Sequence, residues 1–339
     1  MLPPGYSTRT LDLHEVDGYV DGPDVDLAYA VVAAADRGVI QVADCTRESV
    51  RSDLVNPDAM LAEHRLVFDA SDEPAGLLII EKDPPAKTVF ADSYAVPAQG
   101  PALLPSLVSM GVAAASRLHE GPGWRLEAGA FAQDEVYIHI LKQAGFSEIR
   151  RFWHMTIDLD TEQMQESLAP PGVRLTIAES EEDRHLLHRI DEIAFAEHFG
   201  FVPHPYDEWI RWFSDRRDAR PDLCWIAWLD DVPVGVCILD DSRADRGGGY
   251  VRLLGVVPEA RGRGIATWLL GSAFAQAARE GHAFVNLTVD SDNTTGATAL
   301  YERAGMRAER VIVLFRRPLP SGDTEVSCVA SRYRSVIRT

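Results

Sequence analysis

The sequence predicts a mixed α/β protein made of two tandem copies of one domain, and three observations carry that expectation. Its 339 residues exceed the size at which a single core usually stops growing. Residues 65–81 (RLVFDASDEPAGLLIIE) lie over residues 224–240 (CWIAWLDDVPVGVCILD), with Gly76 on Gly235, an offset of 159. Two further landmarks keep nearly that spacing: Val96-Pro97 against Val257-Pro258 (161) and Gly145 against Gly305 (160). A constant offset of this kind is the signature of duplication.

Each matched segment reads as strand, acidic turn with Pro and Gly, then strand, which is a hairpin. In the second copy, 173–177 reads as a short strand, and Ser180 with Asp183 forms a capping box with Asp in place of Glu. Leu186, Leu187, Ile190 and Ile193 follow at helical spacing. A helix is expected over 206–215, a strand over 250–257, and a glycine-rich turn at 258–264 feeding a helix through Trp268, Leu269, Leu270 and Phe274. A strand over 283–289, a helix over 293–304 stopped by Gly305, and a strand over 311–315 complete the copy. In the first copy, 152–159 is strand-like. Pro170-Pro171-Gly172 punctuates the chain, so the expected division is 1–160, 172–318 and a tail at 319–339.

Composition excludes several classes. A net charge of −19 and 25% charged residues oppose the basic footprint that phosphate backbones demand, so nucleic acid is not an expected partner. The same field would steer cationic amines. Cys45, Cys224, Cys237 and Cys328 form no CxxC pair and are too few for a disulfide framework. Residues 1–6 lack a basic segment before an apolar run, and no apolar stretch approaches a membrane span, which predicts a cytoplasmic protein with no membrane partner. His185, His188, His198 and His204 have no cysteine or carboxylate at ligand spacing beside them, so no metal is expected.

The chemistry concentrates at Arg261-Gly262-Arg263-Gly264-Ile265-Ala266. Glycines let the backbone turn tightly toward a ligand, and the first amides of the following helix are free donors at its positive end, which suits a pyrophosphate. The P-loop spacing is absent, and Thr267 breaks the dinucleotide fingerprint. Arg261, Gly264 and Ala266 instead match Gln/Arg-x-x-Gly-x-Gly/Ala, and the segment resembles the acyl-CoA-binding motif of the GNAT superfamily of N-acetyltransferases. A second resemblance follows at Asn293 and Leu300-Tyr301-Glu302-Arg303-Ala304-Gly305-Met306, where Met306 replaces the family's usual Phe.

The resemblance implies two GNAT-like domains, each a twisted mixed sheet flanked by helices, and acetyl-CoA or a related acyl-CoA as co-substrate. It implies that the loop from Arg261 to Ala266 clasps the pyrophosphate, and that Leu254, Gly255 and Val256 accompany the pantetheine, with the Val256 amide at the oxyanion. Asn293 belongs to the same cofactor set, and Tyr301 protonates the departing thiolate. Relatives place a glutamate base on the strand that here holds Arg252 and no carboxylate, so no base is assigned. Glu197 and His198 lie where such enzymes receive the acceptor. By the constant offset, Arg261 falls on Gly100, Gly264 on Leu103, Ala266 on Pro105 and Tyr301 on Leu141, which implies a first copy that has lost the cofactor. The expected activity is acetylation of a small-molecule primary amine by a monomer or homodimer. The alternatives are a non-catalytic acyl-CoA sensor or scaffold and a peptide or protein N-acetyltransferase.

Overall fold

The structure is a computed structural model, and it describes residues 1–319 apart from 17–18, 57, 161–167, 200, 215–217 and 294–295. Residues 320–339, which include Cys328 and nearly all of the expected tail, lie outside the described residues.

The first copy opens with β1 (Ser7–Arg9), a small hairpin of β2 (His14–Val16) and β3 (Tyr19–Asp21), then α1 (Pro23–Ile40) and α2 (Arg47–Val55). It continues through β4 (Arg65–Phe68), β5 (Pro74–Asp83), β6 (Thr88–Ala95), α3 (Gly100–Leu118), β7 (Arg125–Phe131), α4 (Glu135–Gln143) and β8 (Ser147–Asp158). The second repeats that order: β9 (Val173–Ile177), α5 (Glu181–Phe195), α6 (Tyr206–Ser214), β10 (Ala219–Leu229), β11 (Val232–Asp240), β12 (Gly248–Val256), α7 (Ile265–Arg279), β13 (Phe284–Asp290), α8 (Ala297–Arg303) and β14 (Arg307–Pro318).

Side-chain alternation fixes which helix covers which face of each sheet. In the first copy, Leu66, Phe68, Leu77 and Ile79 pack with α1 and α2. Val67, Leu78 and Ile80, one step out of phase, pack with α3 and α4. Buried on both faces, β5 reads as an unbroken apolar run. In the second copy, α5 and α7 both pack on β11 and β12. The Ser180–Asp183 capping box starts α5, with Asp183 N–H donating to Ser180 Oγ at 3.1 Å and Ser180 N–H to the Asp183 carboxylate at 3.0 Å.

The chain divides into two compact units, and their composition differs from the expected boundaries. Residues from Arg151 onward belong to the second unit, where Phe152–Asp158 of β8 pairs antiparallel with β13. Residues 312–319 belong to the first, where Ile312–Pro318 of β14 pairs antiparallel with β7. Each copy therefore lends its last strand to the other's sheet. Within the first unit the strand order is β1, β4, β5, β6, β7, β14, and within the second it is β9, β10, β11, β12, β13, β8. In both, every neighbouring pair is antiparallel except the fourth and fifth strands.

One further expectation needs correction. The helix α3 is long and apolar enough to cross a membrane by composition, whereas the sequence reading found no such stretch. Its Leu103, Leu107, Ala114 and Ala115 are buried, as in the core helix of a globular unit.

Candidate functional site

The strands β12 and β13 pair in parallel only at Gly248↔Phe284, Gly249↔Val285 and Tyr250↔Asn286. Beyond Tyr250 no further pairing joins them, although β12 runs on to Val256 and β13 to Asp290, so the two strands part toward their C-terminal ends. The loop after β12 leads to α7. Gly262 (φ 75°) and Gly264 (φ 80°) both adopt the left-handed conformation, and Gly264 caps α7 without any side-chain hydrogen bond. Only glycine takes such turns without strain. A Cβ on Gly262 would meet nothing within 4 Å, so the loop faces open space.

That space is a cleft of about 390 Å³. Leu254, Gly255, Val256, Arg261, Gly262, Gly264, Ile265 and Ala266 line one side of the set, and Ala297, Leu300 and Tyr301 of α8 belong to it as well. Phe195 and His198, at and beyond the end of α5, complete it. The close seat of α5 depends on Gly255, because a Cβ there would lie 2.7 Å from Phe195 Cε2 and 3.0 Å from Ala194 Cβ.

The cleft can hold an anion on backbone alone. An α-helix leaves its first amides without internal partners, and at α7 the N-cap Gly264 supplies no side-chain acceptor for them. Among the described lining residues there is no carboxylate, and Arg261 and Arg303 are present. In a chain of net charge −19 this local balance favours an anionic ligand at the cleft.

The expected site residues do not all converge. Arg263 and Asn293 are absent from the lining; Asn293 sits in the turn after β13, its N–H donating to Asp290 O at 3.1 Å. Arg261 lines the cleft, but two of its guanidinium nitrogens donate to main-chain carbonyls. Glu197 is exposed and outside the lining, with its carboxylate 3.9 Å from Arg261 Nη1, while His198 lines the cleft with its ring edge-on to Phe195 at 4.6 Å. The Tyr301 side chain is buried, and that burial, with Cys237 and Tyr250 nearby, pushes its hydroxyl well above the ordinary tyrosine range. It stays protonated, as a proton donor must.

Sequence reasoning missed Ala297, Thr267 and Arg303 as cleft residues. Ala297 stands four residues before Tyr301, a spacing that puts both on one helix face and could have revealed it. On β12 the buried Arg252 is ion-paired with Asp240 of β11, so this strand offers no base.

The histidines of α5 and its neighbourhood are otherwise engaged: His185 stacks on Tyr206 at 3.6 Å, and His188 Nε2 lies 2.9 Å from His204 O. A different trio, Asp241, Glu280 and His282, has ligand spacing, but Arg220 already supplies the cation, with Nη2 2.9 Å from Glu280 and Nη1 3.2 Å from Asp241.

The parted strands and the amide cradle between β12 and α7 accord with what the comparisons with known proteins support, an acyl-CoA-dependent acetyltransferase with tandem GNAT relatives. Residues 186–306 match the Acetyltransferase (GNAT) family. The chain is 28% identical over 303 residues to a mycothiol acetyltransferase from Beutenbergia cavernae, covering 82% of this chain and 92% of that one. Among solved structures it is similar to a GCN5-related N-acetyltransferase from Sphaerobacter thermophilus, with TM-score 0.76, 25% identity, and 96% of this chain and 99% of that one covered. A tandem GNAT protein from the clavulanic acid biosynthesis pathway shares the fold, with TM-score 0.70, 16% identity, and 94% and 100% of the two chains covered.

Proposed function

We propose that the second copy transfers the acetyl group of acetyl-CoA to a primary amine of a small molecule. The observation that carries this is the uncapped start of α7 behind two left-handed glycines, opening into a cleft that Tyr301 also lines. The amides from Gly262 to Ala266 hold the pyrophosphate, and the main chain of Leu254, Gly255 and Val256 lies along the pantetheine arm. The Val256 N–H faces the carbonyl oxygen, where a fixed donor stabilises the developing oxyanion. Attack by the neutral amine forms the C–N bond. Collapse breaks the C–S bond, Tyr301 gives its proton to the leaving thiolate, and the ammonium proton leaves to solvent on the His198 side while Tyr301 takes a proton back from solvent.

The lack of a carboxylate in the lining and the presence of His198 support an acceptor that arrives as a free amine on the α5 side. The acceptor named by the relatives, a mycothiol-related amine, is the first to test, followed by amino sugars, aminothiols and polyamines. Labelled acetyl-CoA incubated with that panel should acetylate at least one member. Tight acetyl-CoA binding with no turnover across the panel and across peptides would establish a sensor instead.

A further inference from the structure

Arg261 stands where the motif resemblance implies a phosphate ligand, yet its side chain turns away from that task. Its Nε–H donates to Val256 O at 3.1 Å and its Nη2–H to Ala194 O at 2.9 Å. The first carbonyl ends β12. The second belongs to the last turn of α5, where carbonyls lack helical donors and a cation is favoured. A guanidinium is a planar fork, so satisfying two carbonyls from two elements fixes their separation in a way a single ammonium does not.

The end of α5 already rests on Gly255 through Ala194 and Phe195. The next turn is held by His198 N–H donating to Phe195 O at 2.8 Å, and both Phe195 and His198 line the cleft. We propose that Arg261 is a positioning residue: it pins the end of α5 to the end of β12, and so holds the Phe195–His198 wall over the point where the amine attacks. This rests on the acetyltransferase reading of the same cleft. The pyrophosphate is left to backbone amides.

The test compares Arg261→Met, which removes every donor, with Arg261→Lys, which keeps the charge but loses the fork. Three quantities are read on each folded variant: the acetyl-CoA dissociation constant by calorimetry, ligand-free amide exchange at residues 195–199, and kcat and KM for the panel amine with the highest turnover. Both variants should bind acetyl-CoA within about threefold of wild type while exchange at 195–199 rises about tenfold or more, because local opening reports the lost tether. The amine KM should rise about tenfold or more in both, with Lys giving little rescue.

A loss of acetyl-CoA affinity of about thirtyfold in Arg261→Met, restored by Lys, would make Arg261 a phosphate ligand and overturn the proposal, since Lys serves phosphate well. Unchanged exchange at 195–199 would overturn it equally. If wild-type protein binds no acetyl-CoA, the acetyltransferase reading fails, and the ligand-free exchange still decides the clamp.

Discussion

The two copies part their central strands in the same way and fill the gap differently. The strands β6 and β7 pair in parallel at Thr88↔Arg125, Val89↔Leu126 and Phe90↔Glu127, then stop, as β12 and β13 do. In the first copy Asp92 reaches across, accepting from Gly129 N–H at 3.1 Å, and the position matching Tyr301 is the fully buried Leu141. In the second, the strand register puts Leu253 at the place of Asp92, and Arg252, the extra residue at a register shift beside it, pairs back to Asp240 on β11.

The connection into the next helix differs most: residues 96–99 link β6 to α3, against 257–264 between β12 and α7. The first copy therefore has no broken cradle. The ungapped alignment put Gly264 on Leu103 and Ala266 on Pro105, but both lie inside α3, which starts at Gly100 with Pro101 in its first turn. Pro101 is tolerated in that first turn, whereas Pro105 lies inside the helix. The duplicated sheet specifies a gap between two strands in both copies, and the connection that follows it into the next helix is where the copies differ.

The sharpest way to break this comparison is to remove the loop geometry from the second copy. Gly264→Pro forces φ to about −65° where the chain sits at 80°, and acetyl-CoA affinity should fall at least about 100-fold in a protein that still folds. Calorimetry on wild type should give one site per chain; two equivalent sites would mean the shorter connection is no barrier.

A second test acts on the first copy alone. His64 is buried, its Nδ1 accepts from Ile80 N–H at 3.0 Å, and its Nε2–H donates to Leu54 O at 3.0 Å, a pattern only the neutral ring satisfies. Burial lowers its pKa to about 4 from 6.5. A depressed histidine pKa gives stability that is whole above about pH 6.5 and is lost as pH falls toward 4, at most about 3 kcal/mol. Acid titration followed by amide exchange should open the strands around His64 before those around β12; the opposite order would refute this assignment.

Tyr301→Phe keeps the ring and removes the proton. kcat should fall about 10- to 100-fold with acetyl-CoA affinity unchanged, and wild type should lose no activity to Tyr301 ionisation below about pH 10. Wild-type turnover in a less stable variant would reduce Tyr301 to a core residue. The smallest effect concerns two helix starts that share a device without being equivalent in the repeat: Thr46 caps α2 and Ser180 caps α5 with the same kind of reciprocal box, so Thr46→Ala and Ser180→Ala should each cost about 1 kcal/mol in denaturant unfolding.

Local signals were the legible ones. The hairpins at β4–β5 and β10–β11, the Ser180 cap and the glycine turn before α7 are written within a few residues of where they act. The exchange of β8 and β14 was not, because both strands follow a helix ending in Ala-Gly and nothing nearby names the partner. The Arg261 contacts were hidden for a related reason: the motif gives the backbone's task, whereas the side chain answers to Ala194, far away in sequence. The helical spacing that singled out Ile193 also misled, since Ile193 is exposed.

The exchanged strands bear on how the polypeptide is made. A ribosome releases β7 long before Ile312–Pro318, and until that segment emerges the nascent first sheet ends in an open edge flanked by Leu126, Ala128 and Ala130. Open apolar edges recruit other chains. A ribosome stalled near residue 160 should therefore hold a chain that engages chaperones, and a gene cut at that point should yield two insoluble halves that become soluble when expressed together.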